Sequence, residues 1–161
     1  MNKKNKNKIF HYVVPALFLV GVFFLLWRGT SDNQLSNLND KKSVKIAGRA
    51  VSVELAITAK QKMQGLSSRL GLKDNAGMLF VFHTVGKYPF WMKDMKFPID
   101  IIWINGELDA LEVVYIEKNA KPESFPNIFG GTADSKYVLE VNAGFSEKNS
   151  LKVGDKIKFL P

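Results

Sequence analysis

"IDIIWINGELDALEVVYI", residues 99–116, is the stretch whose reading decides the fold. Two runs rich in β-branched and aromatic residues flank Asn105-Gly106. Both turn residues tolerate the positive φ of a type I′ hairpin turn. The pattern predicts a hairpin, with about 99–104 paired to 107–116. Working outward, "KYVLEVNAG" (136–144) reads as a further strand ended by Gly144. "GDKIKFL" (154–160) reads as a last one, with Ile157 and Phe159 on one face. Upstream, "GMLFVF" (77–82) is a continuous apolar run of strand length, suited to a strand covered on both faces. Val51, Val53, Leu55 and Ile57 alternate with polar or small residues, as in a half-buried strand. Thr58 is placed to cap a short helix, "TAKQKMQGL", that Gly65 ends. Residues 117–135 form a long connection containing two prolines and a Gly-Gly pair. Long ordered connections of this kind are uncommon unless functional. The fold class expected is mainly β: a compact antiparallel β-sandwich or barrel, jelly-roll-like, with one or two short helices.

The first 43 residues read differently. "MNKKNKNK" (1–8) is polar and basic, and Ile9 to Trp27 then carries no formal charge, with His11 taken as neutral. A helix over that run is about 28 Å long, close to the ~30 Å of bilayer hydrocarbon. Residues 9–28 are therefore expected to form a single transmembrane signal anchor, with Trp27 at the interface. Lysines resist translocation, so residues 1–8 belong in the cytoplasm and the C-terminal domain outside it. Arg28 opposes this with one charge against four lysines. Secretion after signal cleavage is the rival reading; the length of the apolar run and the poor cleavage motif, "GTS" at 29–31, favour the anchor. Residues 29–43 lack large apolar groups and read as a flexible tether to a 44–161 domain.

Composition narrows the chemistry. The chain has 161 residues and no cysteine, which excludes disulfides, thiolate metal sites, a cysteine nucleophile and a lipidated cysteine. The net charge is +8, but five of the basic residues lie in positions 1–28, where there is no acid. From residue 29 onward, 18 basic residues face 15 acidic ones, so nucleic acid is not an expected partner. His83 is the one histidine outside the anchor, too few ligands for a zinc site, and no metal or other cofactor is expected. No phosphate loop, Gly-x-Ser-x-Gly elbow or His-Glu-x-x-His helix is present.

Two carboxylates sit among apolar residues. Asp100 shares a strand face with Ile102 and Ile104, and Glu140 shares one with Val138 and Asn142. A buried carboxylate must be paired or hydrogen-bonded, or its pKa rises. Either residue is an acid at a pocket or a structural acceptor; for Asp100 the structural partners would be amides of the 92–97 turn. Between the apolar run and the hairpin lies "PFWMKDMKFPID" (89–100). Its prolines forbid a long helix and disfavour a central strand, so a fixed aromatic loop is expected. Its aromatics either staple one end of the domain or line a site, and different side chains can do each.

The blocks "GLSSRLGL", "GMLFVF", "FWMKDMKFPIDIIWI" and "YVLEVNAG…LKVGDKI", in this order, resemble the bacterial and archaeal family called domain of unknown function 192, over about residues 44–161. The resemblance implies a compact jelly-roll-like β-sandwich with short helices, and it brings no established activity. The family's recurrent residues fall here on Arg69, Trp91, Met92, Lys93, Pro98, Asp100, Glu140, Gly144 and Asp155. Asp94 stands where the family often has Asn, and Ser67 where it often has Met. An Asn-to-Asp exchange preserves a turn residue, which argues against Asp94 as a catalytic acid.

These readings make Arg69, Trp91, Met92, Lys93, Asp94, Asp100 and Glu140 the ligand-binding candidates, with no residue singled out as catalytic. The function expected is a membrane-anchored extracytoplasmic binding or accessory module of the cell envelope. Its partners would be the bilayer, through residues 9–28, and an envelope saccharide or peptide. The alternative is an envelope hydrolase using Asp100 and Glu140 as its acid pair, which requires them to lie ~5–9.5 Å apart.

Overall fold

A computed structural model describes residues 43–161; the expected cytoplasmic segment, anchor and nearly all of the tether lie outside the described residues. Among the described residues no helix is long and apolar enough to cross a membrane. The strands are β1 (Ser43–Ile46), β2 (Arg49–Ala56), β3 (Ala76–Gly86), β4 (Pro89–Trp91), β5 (Ile99–Asn105), β6 (Leu111–Ala120), β7 (Ile128–Gly130), β8 (Ser135–Asn142) and β9 (Lys156–Leu160). Two short helices, α1 (Ala59–Gln64) and α2 (Phe145–Lys148), and a 3-10 turn at Pro122–Ser124 complete the described chain.

Seven strands close a barrel in the order β1-β2-β3-β8-β5-β6-β9, with β9 pairing back onto β1. The expected sandwich or barrel is thus a barrel, and its neighbours are antiparallel except β2 and β3, which run parallel. A parallel pair needs a crossover. Here residues 57–75 supply it, beginning with α1. Thr58 caps α1 as expected: its hydroxyl accepts from the Gln61 amide, and the Gln61 side chain accepts from the Thr58 amide. Gly65 ends the helix, its amide donating to Gln61.

The expected hairpin forms, but with a wider turn. β6 begins at Leu111 rather than 107, and residues 106–110 make the connection. Ala110 donates to the Glu107 carbonyl inside it, and Gly106 takes φ +114° where a side chain would meet the Ala110 carbonyl. Bulges after Ile99 and Trp103 bend the β5–β6 pair. The 89–91 segment, expected as loop, is strand β4, and it pairs with β7 from the long connection. That pairing is remote in sequence, and Pro89 is tolerated because the ribbon has only two strands.

Register shows why β3, β8 and β5 are buried on both faces. Leu79, Leu139 and Ile102 align on one face, with Val81, Tyr137 and Ile104 beside them. That face is the barrel interior, since the ring of Tyr137 on β8 reaches Phe159 on β9, 5.2 Å away. Met78, Phe80, Val138, Ile101 and Trp103 point outward into a second apolar core. Leu66, Met92 and Met95 cover that outer core. Each such buried side chain contributes about 1.5–3 kcal/mol.

Trp103 is the keystone of the outer core. It is fully buried, its Nε1 donates to the Tyr88 carbonyl at 2.8 Å, and Phe90 and Tyr115 meet its ring edge-on. Gly130 on β7 lies directly over the indole at φ +67°, and any Cβ there would land on the ring. Gly130→Ala is expected to cost about 2 kcal/mol through overpacking and left-handed strain. A lowered urea midpoint with an unchanged m-value would register it.

Candidate functional site

A cleft of about 420 Å³ opens on the outer wall of the barrel. α1 and the following turn form one side with Lys62, Met63, Gln64 and Ser67; residues 88–91 and Met95 form the other. Phe80, Phe82 and Glu140 belong to the strands beneath. Phe82 stacks on Tyr88 with centroids 3.5 Å apart, and the Lys62 ammonium lies 4.6 Å above the Phe82 ring. Burial pushes the Lys62 pKa below its usual value.

Glu140 reaches this site because Ile101 on β5 and Met78 on β3 flank it in register, on the outward face of β8. It is 5% exposed, and its Oε2 has no hydrogen-bond partner among the described residues. Burial pushes its pKa up to about 8, against a smaller opposing effect of Arg69. Arg69 is not free to neutralise it. The guanidinium holds both oxygens of Glu54 at 2.7 and 2.8 Å, a fork that lowers the Glu54 pKa and raises that of Arg69. With Glu54 well exposed, the pair is worth about 0.2–1 kcal/mol.

Asp100 is placed elsewhere. It lies on the inward face, aligned with Val141, and is fully buried at one end of the barrel. Oδ1 accepts from the amides of Asn119 (2.8 Å) and Gly144 (3.2 Å), and Oδ2 from that of Ser146 (2.7 Å). Of its two readings this geometry fits the structural acceptor, with other partners than the 92–97 turn. It ties β6 and the start of α2 to β5, and Gly144 adopts φ +84° to begin that helix. Asp100 and Glu140 project from opposite faces of the wall, so the structure does not bring the two carboxylates together as an acid pair.

The other sequence candidates separate by side chain. Trp91 lines the cleft and is 54% exposed, with Phe125 edge-on at 6.1 Å and the Lys93 ammonium 5.8 Å from its ring. Met92 is buried in the outer core and acts as a staple. Asp94 is an exposed turn residue at φ +57°, a conformation that Asn and Asp tolerate. Its carbonyl accepts from Ser68, and the Lys93 carbonyl accepts from the Ser67 hydroxyl, so the two cleft-side turns are laced together. Asp155 accepts from the Lys152 amide in the turn before β9. His83 is exposed on β3. The sequence reading missed Lys62, Phe82 and Tyr88, which come from three segments with no shared spacing; only the aromatic end of the "GMLFVF" run hinted at one of them.

Barrel, outer core and cleft together define a small β-barrel module with a candidate ligand site on its wall. The chain belongs to the DUF192 family, described as an uncharacterized ACR, whose model matches residues 42–159. A crystal structure of a protein of unknown function from Novosphingobium aromaticivorans DSM 12444 is 29% identical, with TM-score 0.66, covering 73% of this chain and 84% of that one. Another, from Sinorhizobium meliloti 1021 and described as a candidate transcription regulator, is 32% identical with TM-score 0.66, covering 74% and 93%. No functionally curated protein matches the chain.

Proposed function

We propose that the 44–161 domain is an extracytoplasmic binding module of the cell envelope, held at the membrane by residues 9–28, and that its ligand enters the cleft above Glu140. The observation that carries this reading is the buried Glu140 carboxyl on the cleft wall, with Oε2 unpartnered among the described residues. Native proteins rarely leave such a group unsatisfied without a use. The half-exposed Trp91 supports it, since an aromatic face beside a lysine suits a sugar ring or peptide better than water. The near balance of charge from residue 29 onward supports no nucleic-acid role.

Trp91→Ala separates binding from folding. The indole is 54% exposed, so the variant is expected to lose less than about 1 kcal/mol of stability. Thermal shifts produced in the parent by envelope glycans or peptides are expected to disappear. If no such ligand shifts the parent, the binding reading fails. Topology is tested separately: protease added to intact spheroplasts should digest the domain or its tether and spare cytoplasmic proteins.

A further inference from the structure

The chemistry around Glu140 narrows the ligand. Resting on the binding reading above, we propose that the cleft recognises a primary carboxamide, the Glu140 carboxyl exchanging two hydrogen bonds with a ligand –CO–NH2 group while the attached alkyl group packs among Phe82, Phe90 and Met95.

Several observations converge on this. The site is a mainly apolar cleft with a single carboxyl on its wall. The charged and titratable groups that line the cleft with that carboxyl are Lys62 from α1 and Tyr88 from the segment before β4; Arg69, paired with Glu54 on β2, acts on it electrostatically, and the flanking Ile101 and Met78 carry no charge. Arg69 is committed to Glu54. A ligand ammonium would have to pass the Lys62 ammonium, and a ligand carboxylate would meet a second acid. A neutral group carrying one donor and one acceptor avoids both penalties.

A protonated carboxyl offers an O–H donor and a carbonyl acceptor side by side, the complement of a primary amide; in a trans secondary amide the N–H and C=O point opposite ways. The last torsion of a glutamate side chain is broad, so a small rotation turns either oxygen toward the cleft. Met63 and Met95 line the same cleft, and their flexible thioethers can yield to a ligand. The side chain of an asparagine or glutamine and an amidated peptide carboxyl share this chemistry.

The test uses the full chain in lipid nanodiscs, following the Trp91 indole N–H by NMR. Probes are propionamide against methyl acetate, which lacks the donor, and acetyl-glutamine-methylamide against acetyl-alanine-methylamide, whose amides are all trans and secondary. The primary amides are expected to bind at least tenfold more tightly than their controls. Glu140→Gln, which keeps a donor and an acceptor, should stay within about threefold of the parent, and Glu140→Leu should abolish binding. The parent, and not the Gln variant, should weaken by up to about tenfold from pH 7 to pH 9 as the acid loses its proton. Tighter binding of the glutamine derivative than of propionamide points to a peptide ligand. Primary-amide binding that survives Glu140→Leu overturns the proposal. So does equal binding of the two controls, which leaves the binding reading standing. Binding of n-butylamine that Glu140→Gln abolishes would replace the amide with an ammonium. Silence of every probe removes both readings.

Discussion

Asp100→Ala is expected to cost about 3–5 kcal/mol and to leave the domain largely unfolded at 37 °C. Three backbone amides, those of Asn119, Gly144 and the buried Ser146, lose their acceptor at once. A hydrogen bond to a charged group contributes about 1.5–3 kcal/mol, and a stranded buried donor carries its own desolvation cost. A domain has only about 5–15 kcal/mol in total. Asp100→Asn should be milder, near 2 kcal/mol, because one oxygen remains while the new NH2 group confronts a backbone donor. Urea denaturation followed by tryptophan fluorescence measures both. An Asp100→Ala variant within 1 kcal/mol of the parent would show that these amides are satisfied some other way.

Glu140→Gln acts with the opposite sign. The ordinary carboxyl pKa of 4.5 rises to about 8 in the fold, chiefly by burial. Between those values the native state keeps a proton that the unfolded chain has released. Stability therefore falls as pH rises from about 4.5 to 8, and is level on either side. The full effect is on the order of 3–5 kcal/mol. The Gln variant lacks this titration, so its stability should stay flat. It should match the parent near pH 4.5 and exceed it by roughly 10 °C in Tm at pH 8.5. Melting curves across that range check the prediction; parallel profiles for parent and variant would mean that Glu140 is solvated. On the binding reading proposed above, the same group would weaken the free protein and equip the cleft, a trade familiar from binding and catalytic sites.

What could be read from the chain follows the range of the interaction. The α1 cap was legible because Thr58, Gln61 and Gly65 are close neighbours in sequence. The strands around "GMLFVF" and "KYVLEV" were legible from their apolar runs. Their two-sided burial made the faces harder to assign: period two places Asp100 and Glu140 on faces, but only register shows one inside the barrel and the other outside. Asp100's partners lie 19 to 46 residues away, beyond any local pattern. The β4–β7 ribbon was invisible for the same reason, joining segments about 40 residues apart. "PFWM" resolved residue by residue: Phe90 packs partly against the outer core, Trp91 faces solvent at the cleft, and Met92 is a staple.

The way the barrel closes bears on how the chain matures. β9, the final strand, joins β1 on one side and β6 on the other. Until Lys156–Leu160 have left the ribosome, both neighbours keep a raw edge of unpaired backbone. Deleting those five residues should leave a sticky, half-assembled ring that aggregates or recruits chaperones, although no side chain of the cleft has been touched.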